Sequence, residues 1–303
     1  MTYSLVARDP DSGAFGVAVQ SHFFSVGSIV TWAEAGVGAI ATQSFAEVSY
    51  GPLGLELLRE GVSAPDALAR LVAADPVPES RQVGMVDARG AAAAHTGSGC
   101  VAAAGHRVEA GLAVQANMME RDTVWDAMVA AFGAAGPGLA ERLLAALNAA
   151  EAEGGDIRGR QSAAMLIVGP ERSERSWEGV LLDVRVEDHP DPLAELARLV
   201  AYHGAYARLG RALFQPGGVI GEYALSDEEL DRALAELEGA QDTLGENPEP
   251  TFWRGVLLAR AGRDADARAA FSAAAAQNPA LAEFARRLPA AGLLDPDVAA
   301  SLG

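Results

Sequence analysis

The order in which the chain's periodicities change constrains its fold more than any single motif. Short β-prone runs come first: Tyr3 to Ala7 and Phe15 to Val19, joined by the turn residues Asp9-Pro10-Asp11-Ser12-Gly13, then Gly36 to Thr42. Two helical patterns follow as a pair. One runs from Tyr50 to Glu60 and closes at Gly61. The other opens at Ser63, carries Pro65 and Asp66 in its first turn, and stops before Asp75-Pro76. Strand patterns return at Gln82–Asp87, Ala91–His95 and Arg107–Gln115. A second helical pair covers Thr123–Ala135 and Leu139–Glu153, and Ala163–Val168 with Val180–Val186 form a last pair of strands. Helices inserted in pairs argue against a βαβ parallel sheet. They predict two mostly antiparallel sheets stacked between helical layers, an α+β architecture.

From Asp191 onward the pattern is helical throughout. Leu193–Leu213 is a long amphipathic stretch, Pro216-Gly217-Gly218 breaks it, and Ser226 to Leu244 opens with a Ser226-x-x-Glu229 capping box. The segment from Pro248 to Pro279 resembles one tetratricopeptide repeat, with Gly255, Gly262, Ala267, Phe271, Ala274 and Pro279 at that repeat's spacing. The aromatic expected near Thr251 is displaced to Phe252 or Trp253. The boundary is expected between residues 190 and 215, giving an α+β domain at 1–200 and a helical domain at 201–303.

Charge and composition exclude several functions. The net charge of −18 disfavours nucleic acid and anionic membrane surfaces as partners. No run approaches the length of a membrane span, and Arg8-Asp9-Pro10-Asp11 interrupts any secretory signal, so a cytoplasmic location is expected. Cys100 is the single cysteine, which rules out an internal disulfide and leaves no cysteine cluster for zinc. His95 and His106 lack further ligand partners, and no metal or cofactor is expected. All 23 basic residues are Arg, so no lysine can serve as a catalytic base.

The chemistry concentrates at Thr2, which leads directly into a strand. Removal of Met1 would leave a residue carrying both a hydroxyl and a free α-amine. The hydroxyl is a poor nucleophile until a base takes its proton, and an α-amine with a pKa of about 7.7–8.0 can be that base. One residue then holds nucleophile and base in fixed geometry. A Thr at this position is equally an ordinary processed start, so the rest of the chain must decide.

Thr2-Tyr3-Ser4-Leu5-Val6-Ala7-Arg8-Asp9, Gly16 to Ser21, Gly36-Val37-Gly38-Ala39, Tyr50-Gly51-Pro52 and Gln82 to Asp87 together resemble the bacterial and archaeal family catalogued as domain of unknown function 1028. Gln115-x-Asn117-Met118 and Gly154-Gly155-Asp156-x-Arg158-Gly159-x-Gln161-Ser162 strengthen the likeness, which covers about residues 1 to 190. The chain departs at Gln115-Ala116-Asn117, where Gly-Asn is usual. The resemblance implies a four-layer αββα sandwich similar to proteasome subunits and other N-terminal-nucleophile (Ntn) hydrolases, with an amide-cleaving site at the first residue.

On that basis Thr2 is the expected nucleophile and Asn117 the expected oxyanion donor. With no lysine, Arg8, Arg158 or hydrogen bonds to the amine would have to tune it, and either Arg could instead bind a substrate carboxylate. Asp156 and Arg158 would form a wall of the site, as would Gln20, Ser21 or His22 at the end of the strand paired with Thr2. The substrate would be a small amide or peptide-like molecule, and a homodimer is expected. Two competing readings are a non-catalytic scaffold or binding protein on the same fold, and an interaction protein acting through its carboxy-terminal helices.

Overall fold

The computed structural model describes residues 2–300, so Met1, whose removal the sequence predicts, lies outside the described residues. The chain is mixed α and β with antiparallel sheets and a helical carboxy-terminal region. It divides into two compact units, Met1–Val200 and Ala201–Gly303.

In the first unit, a six-stranded sheet has the order β10-β9-β2-β1-β8-β7. Its strands are β1 (Thr2–Arg8), β2 (Phe15–Ser21), β7 (Gly105–Glu109), β8 (Leu112–Asn117), β9 (Ser162–Val168) and β10 (Val180–Val186). A four-stranded sheet has the order β3-β4-β5-β6, from β3 (Thr31–Glu34), β4 (Gly38–Ser44), β5 (Arg81–Asp87) and β6 (Ala92–Thr96). Every pairing in both sheets is antiparallel.

Strand alternation sorts the core into three apolar clusters. Tyr3, Leu5, Val114, Ala116 and Ala18 point to one face of the larger sheet, against α3 (Val124–Ala134) and α4 (Leu139–Ala152). Ile40, Val83 and Met85 of the smaller sheet meet α1 (Tyr50–Arg59) and α2 (Ala64–Ala74). The alternate residues Val6, Val17, Val19, Ala39, Ala41 and Val86 meet between the two sheets. Fully burying Leu143 and Leu147 of α4 contributes about 1.5–3 kcal/mol each. The helix starts follow their caps. Ser63 accepts from the Asp66 amide at the start of α2, with a proline in the first turn.

One strand expectation needs correction, and one strand was not expected. Arg107–Gln115 is not one strand, because a turn at Ala110-Gly111, with φ +74° at Gly111, folds it into the β7–β8 hairpin. β3 carries no sequence signal that alternation could find, since all four of its residues are half-buried.

The second unit takes α6 (Asp227–Leu244), α7 (Glu249–Arg260), α8 (Asp264–Gln277), α9 (Ala280–Arg287) and α10 (Pro296–Ala300), preceded by the later turns of α5 (Pro192–Leu213). α6 begins with the Ser226/Glu229 capping box. Phe252 and Phe271 meet edge to face at 5.4 Å, and Gly255 lets the Phe271 ring approach α7 so closely that an added Cβ would stand 3.1 Å from it.

Candidate active site

Thr2 begins the central strand of the larger sheet and is 5% exposed. Its register partners are Ser21 on one side and Asn117 on the other, so all three side chains share the face that looks toward the smaller sheet. The Thr2 hydroxyl lies 3.0 Å from the Ser21 hydroxyl. Both border a cavity of about 370 Å³ whose other polar walls are Gln43, Ser44 and Arg81.

Behind Thr2 runs a buried hydrogen-bond network joining the sheets. Gln82 donates through Nε2 to the backbone oxygens of Ala116 (2.8 Å) and Gly105 (3.2 Å), which can only accept. Its Oε1 must therefore be an acceptor. It takes one bond from Gln43 Nε2 and one from Asn117 Nδ2, each at 2.8 Å. Those two amides also face the Thr2 carbonyl, Gln43 at 3.1 Å and Asn117 at 3.4 Å. A second chain runs from Gln115 Nε2 to Ser4 Oγ and on to Gln43 Oε1, both steps at 2.6 Å. Gly84 leaves room for this network, because a Cβ there would stand 2.2 Å from Gln115 Oε1.

Arg81 supplies the positive charge on the cavity wall. Its Nε donates to Asp75 Oδ2 at 2.8 Å and its Nη1 to the Phe45 carbonyl at 2.6 Å. The Arg81 bond holds the Asp75 carboxyl below the usual carboxylate range, helped by the Val77 amide, against the opposing effect of burial. Burial and the nearby Asp75 push the Tyr50 phenol up.

The loop after β2 forms the opposite wall and is tied down from outside the cavity. Asp156 Oδ2 accepts the His22 amide at 3.0 Å, and the same carboxylate holds the Arg158 amide at 2.9 Å and its Nη2 at 3.1 Å. Ser162 Oγ donates to the Phe23 carbonyl at 2.5 Å and accepts the Val26 amide at 3.1 Å. Among the described residues, three non-glycine residues have left-handed φ: Ser25 (56°), Ser44 (72°) and Met118 (57°). Each lies in or beside a segment bordering Thr2, where such conformations cost roughly 1–2 kcal/mol apiece.

The structure brings Thr2, Ser21 and Asn117 together and places Asp156, Arg158 and His22 just behind the loop wall. It does not bring Arg8 or Gln20 to the cavity. Arg8 ends β1, six residues and about 20 Å of extended strand from Thr2, with its guanidinium 6.0 Å from the Phe15 ring. Gln20 alternates with Ser21 and therefore points to the helical side of the sheet, the side on which a Cβ at Gly16 would strike Leu143. Asn117 lies beside Thr2, with its Nδ2 engaged by Gln82 Oε1 at 2.8 Å and facing the Thr2 carbonyl at 3.4 Å. Gln43, Gln82 and Arg81 are not among the site residues expected from the sequence. Among the described residues, no group of three or more His, Cys, Asp or Glu side chains is placed to hold a metal ion, and no helix is long and apolar enough to cross a membrane.

A family model described as a family of unknown function, DUF1028, matches residues 2–196. The crystal structure of a Silicibacter pomeroyi protein, itself assigned to DUF1028, is 31% identical, with a TM-score of 0.59. The match covers 73% of this chain and 91% of that one. No curated protein matches the chain.

Proposed function

The chain belongs to the DUF1028 family, and on that premise we propose that its first unit is an Ntn amide hydrolase, with Thr2 as nucleophile once the peptide bond preceding it has been cleaved. Two stacked antiparallel sheets with helical pairs on their outer faces support assigning the four-layer αββα sandwich of that superfamily. The Phe252–Phe271 packing against Gly255 supports a tetratricopeptide-like hairpin in the second unit.

The observation that carries the reading is the placement of Thr2. Its hydroxyl opens onto the cavity beside Ser21, while its carbonyl is gripped from behind by Gln43 and Asn117. In the proposed reaction, Thr2 Oγ adds to the amide carbonyl carbon as its proton passes to the α-amine. The C–N bond then breaks, the leaving amine takes that proton, and an ester remains on Thr2. Water, deprotonated by the same amine, hydrolyses the ester to the free acid and restores Thr2. Arg81, on the wall of the same cavity, is the cation nearest in place to a lysine that would lower the amine's pKa, although its pairing with Asp75 offsets most of the lowering it would exert.

The test is direct. Intact mass should show a chain beginning at Thr2, and a β-lactone probe should add one equivalent at that residue. Thr2→Ala should lose the adduct with its circular dichroism unchanged. Equal labelling of both proteins rejects Thr2 as nucleophile, and a native terminus still blocked before Thr2 leaves a non-catalytic binding protein.

A further inference from the structure

We propose that the Thr2 cavity selects an uncharged, apolar acyl group, so that its substrates are amides of neutral aliphatic or aromatic acids and acyl groups bearing a carboxylate are turned away. This deepens the nucleophile reading above and rests on it.

The first observation is the lining. Six of the eleven residues bordering the cavity are apolar: Phe23, Val26, Ile29, Val30, Phe45 and Ala46. Val26 and Val30 are each 1% exposed and form an apolar floor, whereas Phe23 and Phe45 are 51% and 62% exposed. Large aromatic side chains left that open beside a concavity are a site where an apolar group can displace water. The segment that carries Phe23 is pinned through Asp156 and Ser162, and Phe45 is pinned through its carbonyl to Arg81, so the backbone that presents these rings is held in place before any ligand arrives.

The second observation is electrostatic. Arg81 is the single charged residue of the lining, and its charge is already committed. Asp75, with only 3% of its side chain exposed, grips the guanidinium at Nε (2.8 Å) and Nη2 (3.3 Å), while Nη1 serves the Phe45 carbonyl. Glu47 adds a second negative charge close enough to feel Arg81. With the Thr2 α-amine in the neutral form that acts as base, one cation against two carboxylates leaves the local sum at −1. An incoming carboxylate would have to compete with Asp75 for Arg81 and give up its own hydration in a largely apolar cavity. A neutral acyl chain pays neither penalty. Spare N–H groups on Arg81 can still donate to a neutral carbonyl oxygen, because pairing removes net charge and leaves hydrogen-bonding capacity.

Two β-lactones test this on the full-length protein with Thr2 released: one with a hexyl side chain, the other with the same chain ended by a carboxylate. In either case Thr2 Oγ attacks the lactone carbonyl, the ring C–O bond breaks, and the ring oxygen takes the proton, so the adduct has the summed mass. The neutral probe should label Thr2 at least about tenfold faster. Equal rates, or a faster acid, overturn the inference while leaving the nucleophile standing. No Thr2 adduct from either probe removes the nucleophile, and this inference with it. In Asp75→Asn, folded by circular dichroism, the rate ratio should shrink by about fivefold as Arg81 is unmasked. An unchanged ratio there overturns the charge argument, and should that variant not fold, the wild-type ratio decides alone.

Discussion

Gln82 and Asn117 sit on different sheets and share one hydrogen bond, Asn117 Nδ2 to Gln82 Oε1 at 2.8 Å. Its direction is not free. Gln82 Nε2 is committed to the Ala116 and Gly105 carbonyls, so Gln82 Oε1 must accept and Asn117 must present its NH₂. Two backbone oxygens thus fix, through one glutamine, which end of Asn117 meets Thr2.

The polarity of that bond separates three substitutions. Asn117→Asp puts oxygen against Gln82 Oε1 and against the Thr2 carbonyl, so it should destabilise the first unit more than Asn117→Ala, although Asp is the closer isostere. Leaving a buried acceptor unpaired costs about 1–3 kcal/mol. Gln82→Leu removes one acceptor from each of the Gln43 and Asn117 amides and the Gln82 donor from the Ala116 and Gly105 carbonyls, and should cost at least as much. Urea midpoints would rank the three, and Asp proving milder than Ala would refute the assigned direction.

Ser21→Ala should separate reactivity from stability. Losing one hydroxyl contact changes stability by about 1 kcal/mol or less. The Thr2 hydroxyl, however, loses the partner at 3.0 Å that restricts its rotation, and β-lactone labelling should slow by about tenfold. A labelling rate equal to wild type would show that Ser21 only fills space.

Asp156→Ala tests the anchor of the Phe23 wall. The carboxylate is fully buried and holds the His22 amide as well as Arg158, so its removal should cost about 3 kcal/mol. Hydrogen exchange should then accelerate at His22 and across residues 23–28 ahead of the rest of β2. Uniform acceleration through the whole unit would mean that Asp156 serves the fold as a whole and not this wall.

Local chemistry explains which parts could be read from sequence. Ser63 and Ser226 announce their helices because a cap acts within three residues. The β1–β2 hairpin follows from Asp9 to Gly13, whose turn bonds are equally local. The Gln43–Gln82–Asn117 network could not be read, since polar residues alternating along strands signal a solvent face, and here that face meets a second sheet. Arg81 stayed hidden because its partners Asp75 and Phe45 come from separate segments. Gln20 is different. Once Ser21 pairs with Thr2, alternation alone sends Gln20 to the other side.

The network reaches solvent through a histidine, which makes it sensitive to pH. Gln82 Nε2 shares one of its two N–H groups between the Gly105 carbonyl and Thr96 Oγ1, the latter at 2.9 Å, and Thr96 in turn lies 2.9 Å from His106 Nδ1. With neutral His106 and a bare Nδ1, Thr96 can accept from Gln82 and pass its own proton to Nδ1; protonation of the ring turns Nδ1–H toward Thr96 Oγ1 and leaves the Thr96 proton to find another acceptor. Burial lowers the His106 pKa, and the neighbouring charges of His95 and Arg107 lower it further. A base with a depressed folded pKa binds fewer protons in the native state. Its contribution is therefore complete above the unfolded value of about 6.5 and is lost as pH falls through the folded pKa. Urea midpoints at pH 7.5 and 5.0 should accordingly differ more for wild type than for His106→Asn, which keeps an acceptor near Nδ1 but cannot take the proton. Thr2 labelling, corrected for the titration of its own amine with a small α-amine reference, should show the same difference. Identical pH profiles for the two proteins would show that Thr96 does not connect His106 to Gln82.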